Sequence, residues 1–526
     1  MENFEIILFL LFSAILLVGI AQKIRVPYPI ILILGGAAVS FIPGIDNIYF
    51  NPNLILMIFL PAILYYSAFG ISFREFQLNW KNIFSLALGL VALTTIVIAI
   101  IFKGMFPQFS WALAFAFGAI VSPPDAIAVT SILKRFNINL RLITLLEGES
   151  LINDASAIVI YKITVMALLT GSLSLNEGIF EFFYVAIGGI IVGLVLGFLF
   201  QMFSKRYLEP VLGVVFSFTI PYVTYIVADI LNVSGVLAVV VNGLIGARIL
   251  HTHYSSLRRV LGYAVWDILI VLLNCLVFIL IGLQVRTIAG EMTIHQIISY
   301  TGFALLIAFA MTVIRMIWVY GRAAILYMNA LSRRDSSRIC PQILRESAVI
   351  GWAGMRGIVS LAVALALPFT LPNGMPLDGR DEVVFITFMV ILITLVIPGL
   401  TLPMLIRWLK LYPIDKEDNE KKIRDQLAKH ADDIIISFFE LKIIDQKEYR
   451  FLKSYFHLQH KALELAHDAE DNISNIESAR RKVIQFQRTK LIEIKKTHEI
   501  DDQLVSHLEN ELDMLETHIA RAKLKL

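Results

Sequence analysis

About thirteen apolar segments, each near the length needed to cross a bilayer, follow one another between residues 6 and 409. They are 6–22, 28–43, 53–71, 82–102, 111–133, 143–169, 179–203, 210–230, 233–249, 260–285, 294–320, 346–367 and 382–409. A helix needs ~20 mostly apolar residues to span the hydrocarbon core. The chain is 57% hydrophobic and 17% charged, whereas soluble proteins are about 45–50% apolar and about 25% charged. The sequence therefore predicts an all-α polytopic membrane protein.

Lysine and arginine residues are distributed unevenly over the connections between these spans. Connections after odd-numbered spans carry seventeen of them, and connections after even-numbered spans carry three. Basic connections favour the cytoplasmic side of a membrane. The pattern predicts an outside N-terminus and a cytoplasmic C-terminus, in a multi-pass protein of the plasma membrane (the inner membrane of a bacterium).

The composition of the chain changes near residue 410. From Ile414 to Leu526 there is no glycine or proline, and charged residues are dense. Leucines recur at helical spacing near the end of the chain, at Leu504, Leu508, Leu512 and Leu515. We predict a transmembrane domain over 1–410 and a soluble, charged, helical tail over 411–526 on the cytoplasmic side. The tail is interpreted first as a solvated helical hairpin that packs or dimerises, and only second as a regulatory element.

The fifth span is interrupted by two consecutive prolines, Pro123 and Pro124, followed by Asp125. The prolines remove two backbone donors and crowd the preceding carbonyls, so a regular helix cannot continue there. Irregular backbone at membrane depth is tolerated only inside protein or beside water, where freed carbonyls can bind a cation. We expect Asp125 to serve such a site. The narrower interpretation is that Asp125 only caps the half-helix that follows.

The sixth and twelfth spans carry further charges. In the sixth, Ser150 and Asp154 share one helix face, and Glu149 and Asn153 share another. In the twelfth, Arg356 lies in a stretch loosened by glycines. At ~1.5 Å per residue from the charged end of each span, Asp125 lies about 13 Å deep, Asp154 about 20 Å and Arg356 about 15 Å. Three separate segments therefore bring charge to the middle of a core that is ~30 Å thick.

The two interrupted spans occupy matching places in the chain. They are the fifth and the twelfth, so pairing spans 1–6 with spans 8–13 aligns them in opposite orientation. Broken helices at matching positions of two inverted halves indicate a transporter's binding site at the midplane. The sequence predicts inverted repeats with two broken, crossing helices.

Other charged residues within spans have several open interpretations. Lys162, Asp267 and Arg315 are expected to find partners or to line a vestibule. Glu147 is interpreted as a structural residue at the cytoplasmic end of its span, with a role near the access route as the alternative. A run of glycines from Gly188 to Gly197 indicates close helix packing more than ligand binding.

Over roughly residues 1–410 the sequence resembles the NhaP-type sodium/proton antiporters of the monovalent cation/proton antiporter family. The resemblance rests on SPPDAIAVTSIL at 122–133, LLEGESLINDASAIV at 145–159, SGVLAVVVNGL at 234–244 and GWAGMRGIVSLAVAL at 351–365. It implies the NhaA/NhaP-like antiporter fold, a homodimer and elevator-type movement of a core domain.

The resemblance also implies the ligands of the transported ion. Asp154 would be the essential ion-binding carboxylate and Asp125 its partner, so that both bind an alkali cation. Ser150 would offer a hydroxyl ligand. The family usually has a threonine where this chain has Pro124, which leaves the backbone carbonyl of Pro124 as the available ligand.

Supporting roles follow from the same resemblance. Asn153 would brace the site, and Glu149 and Arg356 would form a buried ion pair within the core domain. Many relatives carry an acid in the third helix after a Phe-Leu-Pro motif, whereas here residues 59–61 lead into Tyr65-Tyr66-Ser67 without one. This chain therefore has no counterpart of the relatives' third-helix carboxylate at that place.

A carboxylate away from water can hold either a proton or a desolvated alkali cation, so competition at Asp154 would couple the two fluxes. Asn153 stands where electrogenic relatives have a second acid, and this favours electroneutral exchange of one cation, Na⁺ first, for one proton. Such exchange would serve intracellular pH and cation homeostasis. The alternatives are K⁺/H⁺ or Li⁺/H⁺ exchange, a passive channel, and a non-transporting membrane sensor. No nucleotide-binding loop, enzyme motif, cofactor site or nucleic-acid-binding feature is indicated.

Overall fold

A computed structural model describes most of the apolar part of the chain and one stretch of the tail. The described residues are 2–24, 26–41, 52–136, 138, 140–171, 175–254, 256–290, 292–332, 339–372, 374–411, 429–467 and 487. Helices dominate these ranges, and a lone bridge between Thr370 and Pro376 pairs two extended residues. The all-α class predicted from the sequence is confirmed.

The helices of the apolar part are numbered here in chain order. Those before residue 140 are α1 (Glu2–Ile24), α2 (Tyr28–Val39), α3 (Pro52–Gly70), α4 (Phe73–Phe84), α5 (Val91–Met105), α6 (Trp111–Val121) and α7 (Ala126–Arg135), with a π-helical segment, Ser85–Leu90, joining α4 to α5. Those after it are α8 (Leu140–Thr170), α9 (Leu175–Tyr207), α10 (Pro210–Ile230), α11 (Gly235–His253), α12 (Ser256–Ala289), α13 (Ile294–Ser332), α14 (Ile339–Trp352), α15 (Ile358–Leu365) and α16 (Arg380–Trp408).

Eight helical stretches among the described residues are long and apolar enough to cross a membrane. They are Arg74–Met105, Trp111–Arg135, Arg141–Thr170, Phe180–Tyr207, Pro210–Ile230, Leu257–Ile288, Ile294–Ile325 and Arg380–Trp408. Shorter apolar helices, or the interrupted pair α14 and α15, lie at the remaining predicted spans. The chain is therefore a multi-span helical membrane protein, as predicted, and its fifth and twelfth spans are both broken.

Two groups of helices fill the unit Met1–Pro413. Helices α2, α3 and α9 to α12 contact mainly one another, and α5 to α8 contact mainly one another together with α13, α14 and α16. Helices α3, α8 and α15 touch across the boundary between the groups. Asp125, Ser150 and Asp154, which were singled out from the sequence, lie beside α3 at this boundary.

Glycines bring pairs of helices unusually close. A Cβ added at Gly189 or Gly193 of α9 would collide with the backbone of α11, at the carbonyls of Ser234 and Ala238. The predicted role of this glycine run in helix packing is confirmed, because the missing side chains let the two backbones touch.

The unit Ile414–Leu526 is described by its own residues. Backbone over 429–440 is helical, and α17 (Gln446–His467) follows. Asp445 and Glu448 cap α17 reciprocally: the Glu448 N–H donates to Asp445 Oδ1 at 2.7 Å, and the Asp445 N–H donates to Glu448 Oε2 at 2.8 Å. The predicted leucine stripe from Leu504 to Leu515 lies outside the described residues.

Candidate functional site

The first break separates α6 from α7. Backbone from Ser122 to Asp125 is not helical, because neither Pro123 nor Pro124 can donate a backbone hydrogen bond. Asp125 then caps α7: its Oδ1 accepts from the Ile127 N–H at 2.8 Å. Its other carboxylate oxygen is buried and accepts no hydrogen bond within the described part of the chain. Capping therefore uses one oxygen of Asp125 and leaves the second for a ligand.

The second break separates α14 from α15 and crosses the first. The Asp125 N–H donates to the Met355 carbonyl at 2.6 Å, which joins the two breaks directly. A Cβ on Gly357, the residue before α15, would collide with the Asp125 carboxylate. The crossing of two broken helices predicted from the sequence is present, and glycine at 357 is what lets Asp125 occupy it.

Helix α8 brings three of the predicted site residues to this crossing. The Ser150 Oγ accepts from the Ala126 N–H at 3.3 Å, at the first turn of α7. Asn153 is fully buried, and its Nδ2 donates to the Pro124 carbonyl at 3.3 Å. This contact agrees with the bracing role expected of Asn153. A carbonyl oxygen has two lone pairs, so Pro124 can accept from Asn153 and still bind a cation.

A cavity of about 80 Å³ lies at the crossing. Its acids are Asp125, Glu147 and Asp154, and its hydroxyls are Ser67, Thr130, Ser150 and Ser360. The remaining lining residues are Phe59, Leu60, Ile63, Leu64, Pro123, Pro124, Ala126, Ile127, Leu151, Gly357, Val359 and Ala362. No lysine or arginine of the described chain is among them. The space exceeds that of one water molecule, so it can hold an alkali cation with part of its hydration shell.

The electrostatics of the cavity favour a bound cation or proton. Asp154 is 7% exposed, and its charge repels that of Asp125. A positive charge placed between the two carboxylates removes this repulsion. The four residues predicted to supply ligands, Asp154, Asp125, Ser150 and Pro124, therefore line one cavity.

The predicted ion pair between Glu149 and Arg356 is wrong. Glu149 is paired instead with Arg315 of α13: Arg315 Nη2 lies 2.8 Å from Oε2, and Nη1 contacts Oε1. Both side chains are almost fully buried, and Arg315 Nε donates to the Ile350 carbonyl at 2.9 Å. The planar fork of a guanidinium matches a carboxylate bidentately, and Arg315 presents that fork to Glu149. Arg315 thereby ties α8, α13 and α14 together.

Arg356 hydrogen-bonds backbone carbonyls at the breaks, and the nearby Glu149 charge attracts it without a direct ion pair among the described residues. Its Nε donates to the carbonyl of Val121, the last residue of α6, at 3.1 Å, and its Nη1 donates to the Gly354 carbonyl. The C-terminal end of a helix carries partial negative charge, and the N-terminal end carries partial positive charge. Arg356 at the end of α6 and Asp125 at the start of α7 thus compensate the two half-helices of the first break.

The other charged residues also find partners. Lys134 Nζ lies 3.2 Å from Glu147 Oε1, and Lys162 Nζ lies 4.0 Å from Asp229 Oδ1. Asp267 accepts a hydrogen bond from the Tyr66 hydroxyl. Tyr66 follows the Phe-Leu-Pro motif in α3, so this contact links a carboxylate on α12 to the stretch that lacks an acid.

Sequence reasoning missed three cavity hydroxyls, those of Ser67, Thr130 and Ser360. Ser67 could have been found, because it lies on the face of α3 that also carries Leu60 and Leu64 at helical spacing. The other two belong to half-helices whose orientation depends on the breaks.

We expect the Gly357→Ala substitution to raise the half-saturating cation concentration about 10- to 100-fold, because small displacements of a reacting group have effects of that size. The added methyl group collides with Asp125. Cation-dependent proton flux in vesicles measures the effect. The matched control is Gly302→Ala in α13, where an added Cβ meets no atom within 4 Å. Equal behaviour of the two variants would show that Asp125 tolerates displacement.

Comparison with known proteins gives a family match over most of the chain. Residues 8–408 match the family described as sodium/hydrogen exchanger, transmembrane. The Na(+)/H(+) antiporter NhaH of Halobacillus aidingensis is 32% identical over 77% of this chain and 97% of that protein. An uncharacterized Na(+)/H(+) exchanger of Mycobacterium tuberculosis, Rv2287, is 29% identical over 98% of this chain and 96% of its own length.

Solved structures share the fold. The sodium proton antiporter MjNhaP1 from Methanocaldococcus jannaschii superposes with a TM-score of 0.59 at 20% identity, covering 77% of this chain and 98% of that one. The family match spans most of the chain, and the relatives agree with it. The chain therefore belongs to the sodium/hydrogen exchanger family, as an integral multi-pass membrane protein that exchanges monovalent cations for protons.

Proposed function

We propose that the chain exchanges Na⁺ for H⁺ in a one-to-one ratio, with Asp154 and Asp125 as the ion-binding carboxylates. The observation that carries the proposal is the cavity at the crossing of the two breaks. Asp125 and Asp154 line it together with Ser150 and Pro124, and no basic side chain of the described residues does. Oxygen ligands of this kind suit hard alkali cations.

Competition at this site couples the two fluxes. Asp125 and Asp154 repel each other when both are charged, so the pair binds one positive charge readily, as either a proton or a cation. The proton-loaded and cation-loaded sites then carry the same net charge. If only loaded sites cross, each cycle exchanges one cation for one proton and moves no net charge. Asn153, being neutral, adds no further titrating group beside Asp154.

The movement that we propose is of the elevator type. Helices α8, α13 and α14 are tied by Arg315, and the two breaks are tied by the bond from Asp125 to Met355. These contacts favour displacement of the site together with its supporting helices past α3. We further propose that the protein is a homodimer in the plasma membrane, with its N-terminus outside and its tail, residues 411–526, in the cytoplasm.

Potassium is the second candidate cation. The relative from Bacillus subtilis, 32% identical over 72% of this chain and 58% of its own length, is named a sodium, potassium, lithium and rubidium/H(+) antiporter. The Halobacillus relative is named for sodium alone. We favour Na⁺ and treat K⁺ and Li⁺ as alternatives at the same site.

Proteoliposomes loaded with a pH-sensitive dye test the proposal. An outward or inward Na⁺ gradient is expected to drive proton flux at the same rate with and without an imposed membrane potential. One net charge per cycle would instead add ~2.3 kcal/mol of driving force per 100 mV. A voltage-dependent rate would contradict one-to-one exchange. A faster response to K⁺ than to Na⁺ would reassign the cation, and inertness to every alkali cation at several pH values would favour a sensor.

A further inference from the structure

The cavity contains a third carboxylate, Glu147, that the exchange cycle described above does not use. Glu147, Ser150 and Asp154 lie on one face of α8, at positions i, i+3 and i+7, and all three line the cavity. Seven residues of helix separate the two acids, which corresponds to about 10 Å along the axis. Glu147 is partly exposed, whereas Asp154 is buried. Glu147 therefore lies toward the more open end of the cavity.

Lys134 forms an ion pair with this carboxylate. Its Nζ lies 3.2 Å from Glu147 Oε1, and its side chain is 62% exposed. Lys134 lies in the last turn of α7, the half-helix whose first turn is capped by Asp125. A lysine ammonium is a compact charge on a flexible stem, so it can leave one partner and return without any backbone movement.

The two ion pairs of α8 differ in a way that separates a structural pair from an exchangeable one. Glu149 and Arg315 form two hydrogen bonds and are 1% and 3% exposed. Glu147 and Lys134 share one contact, and Lys134 is open to solvent. An exposed single contact of this kind is weak. A cation that reaches the cavity mouth can therefore displace the ammonium of Lys134.

We propose that Glu147 is an access carboxylate that binds the transported cation before it reaches Asp154, and that the Lys134 ammonium is a tethered competitor for this carboxylate. The ion pair opens when a cation arrives and closes behind it. By this mechanism Lys134 weakens the apparent cation affinity from this end of the cavity. The inference rests on the proposed function, since it names a step on the route to the same site.

Removing the competitor is expected to strengthen apparent cation binding. For Lys134→Met we expect a two- to fivefold decrease in the half-saturating Na⁺ concentration of exchange, which is the range set by a weak exposed pair. For Glu147→Gln we expect an increase. A merely structural role for Lys134 would not lower the half-saturating concentration, because loss of a stabilising contact does not improve binding.

Arg135→Gln is the matched control. Arg135 is the neighbouring residue, is exposed and carries the same charge, but among the described residues it is Lys134, and not Arg135, that pairs with Glu147. Its substitution removes one positive charge from the same region, so it reports any general effect of surface potential. Lys134→Met and Arg135→Gln having equal effects would overturn the proposal.

The double variant tests whether Lys134 acts through Glu147. When Glu147 is already glutamine, Lys134→Met is expected to change nothing further, so the double variant should match Glu147→Gln. Independent, additive effects of the two substitutions would overturn the proposal.

A binding measurement separates this inference from the proposed function. Cations that bind the folded protein raise its thermal stability, so the midpoint of Na⁺-dependent stabilisation of the detergent-solubilised protein reports binding without transport. If Lys134→Met lowers this midpoint and Glu147→Gln raises it, but the wild type shows no flux, the exchange function is refuted and the access carboxylate is retained. Normal flux with midpoints that do not respond to either substitution would refute the access carboxylate alone. The access carboxylate would also be refuted if no alkali cation stabilised the wild-type protein.

Discussion

Replacing Asp154 with asparagine is expected to abolish cation-driven proton flux in inverted membrane vesicles. We expect a loss of at least about 100-fold, equivalent to roughly 2.7 kcal/mol at the rate-limiting step. Asparagine keeps the size of the side chain and its ability to hydrogen-bond in a buried place. It cannot take up a proton or neutralise a cation, so both halves of the cycle lose their binding group. Collapse of an imposed pH gradient on addition of Na⁺, K⁺ or Li⁺ is the measurement.

The matched control for this variant is Asp229→Asn. Asp229 lies at the end of α10, its side chain is 65% exposed, and it lies 4.0 Å from Lys162. We expect near wild-type flux from it, since it does not line the cavity. Persistent exchange in a correctly folded Asp154→Asn protein would move the essential role to Asp125 or Glu147.

The Arg315→Met substitution is expected to destabilise the protein by on the order of 3–5 kcal/mol, the usual effect of removing one partner of a buried ion pair. Glu149 would then be left charged and almost fully buried. The Ile350 carbonyl would also lose the hydrogen bond that it accepts from Arg315. The measurement is the temperature at which detergent-solubilised protein loses its monodisperse peak in size-exclusion chromatography.

Two further variants identify the cause of that loss. Arg345→Met removes an exposed arginine from α14 and is expected to leave the temperature unchanged. The double variant Arg315→Met with Glu149→Met removes both charges, and apolar replacement of a whole pair is often neutral. We therefore expect the double variant to be more stable than Arg315→Met alone. A double variant that is less stable would show that Arg315 acts through packing and not through Glu149.

Local chemistry made the two breaks predictable from the sequence. Pro123 and Pro124 cannot donate backbone hydrogen bonds, so a helix must stop there in any fold. The glycines around Arg356 likewise indicate an irregular stretch in the twelfth span. Helical periodicity likewise placed Ser150 and Asp154 on one face of α8. These predictions depend on residues that are near one another in the chain, which is why they needed no tertiary information.

The partner of Glu149 could not be obtained in the same way. Arg315 and Arg356 are both arginines at depth within spans, and both are almost fully buried. Which of them reaches Glu149 depends on the rotation of α13 and on the path of the break between α14 and α15, and the sequence pattern leaves both open. The resemblance favoured Arg356, whereas in the folded chain its guanidinium donates to the carbonyl of Val121 at the end of α6 and to that of Gly354. Helical spacing alone puts Glu147 on the face of Ser150 and Asp154, but its place in the cavity wall also depends on this long-range packing.

The cavity wall formed by α3 bears on how easily the site can move. Four of the five α3 residues that line the cavity are apolar, and Ser67 is the exception. Hydrocarbon groups attract their neighbours through many weak, non-directional contacts. When one surface slides over such a wall, each lost contact is replaced by a similar one, and almost no hydrogen bond has to break. For the elevator movement proposed above, we therefore expect this wall to oppose sliding of the site only weakly.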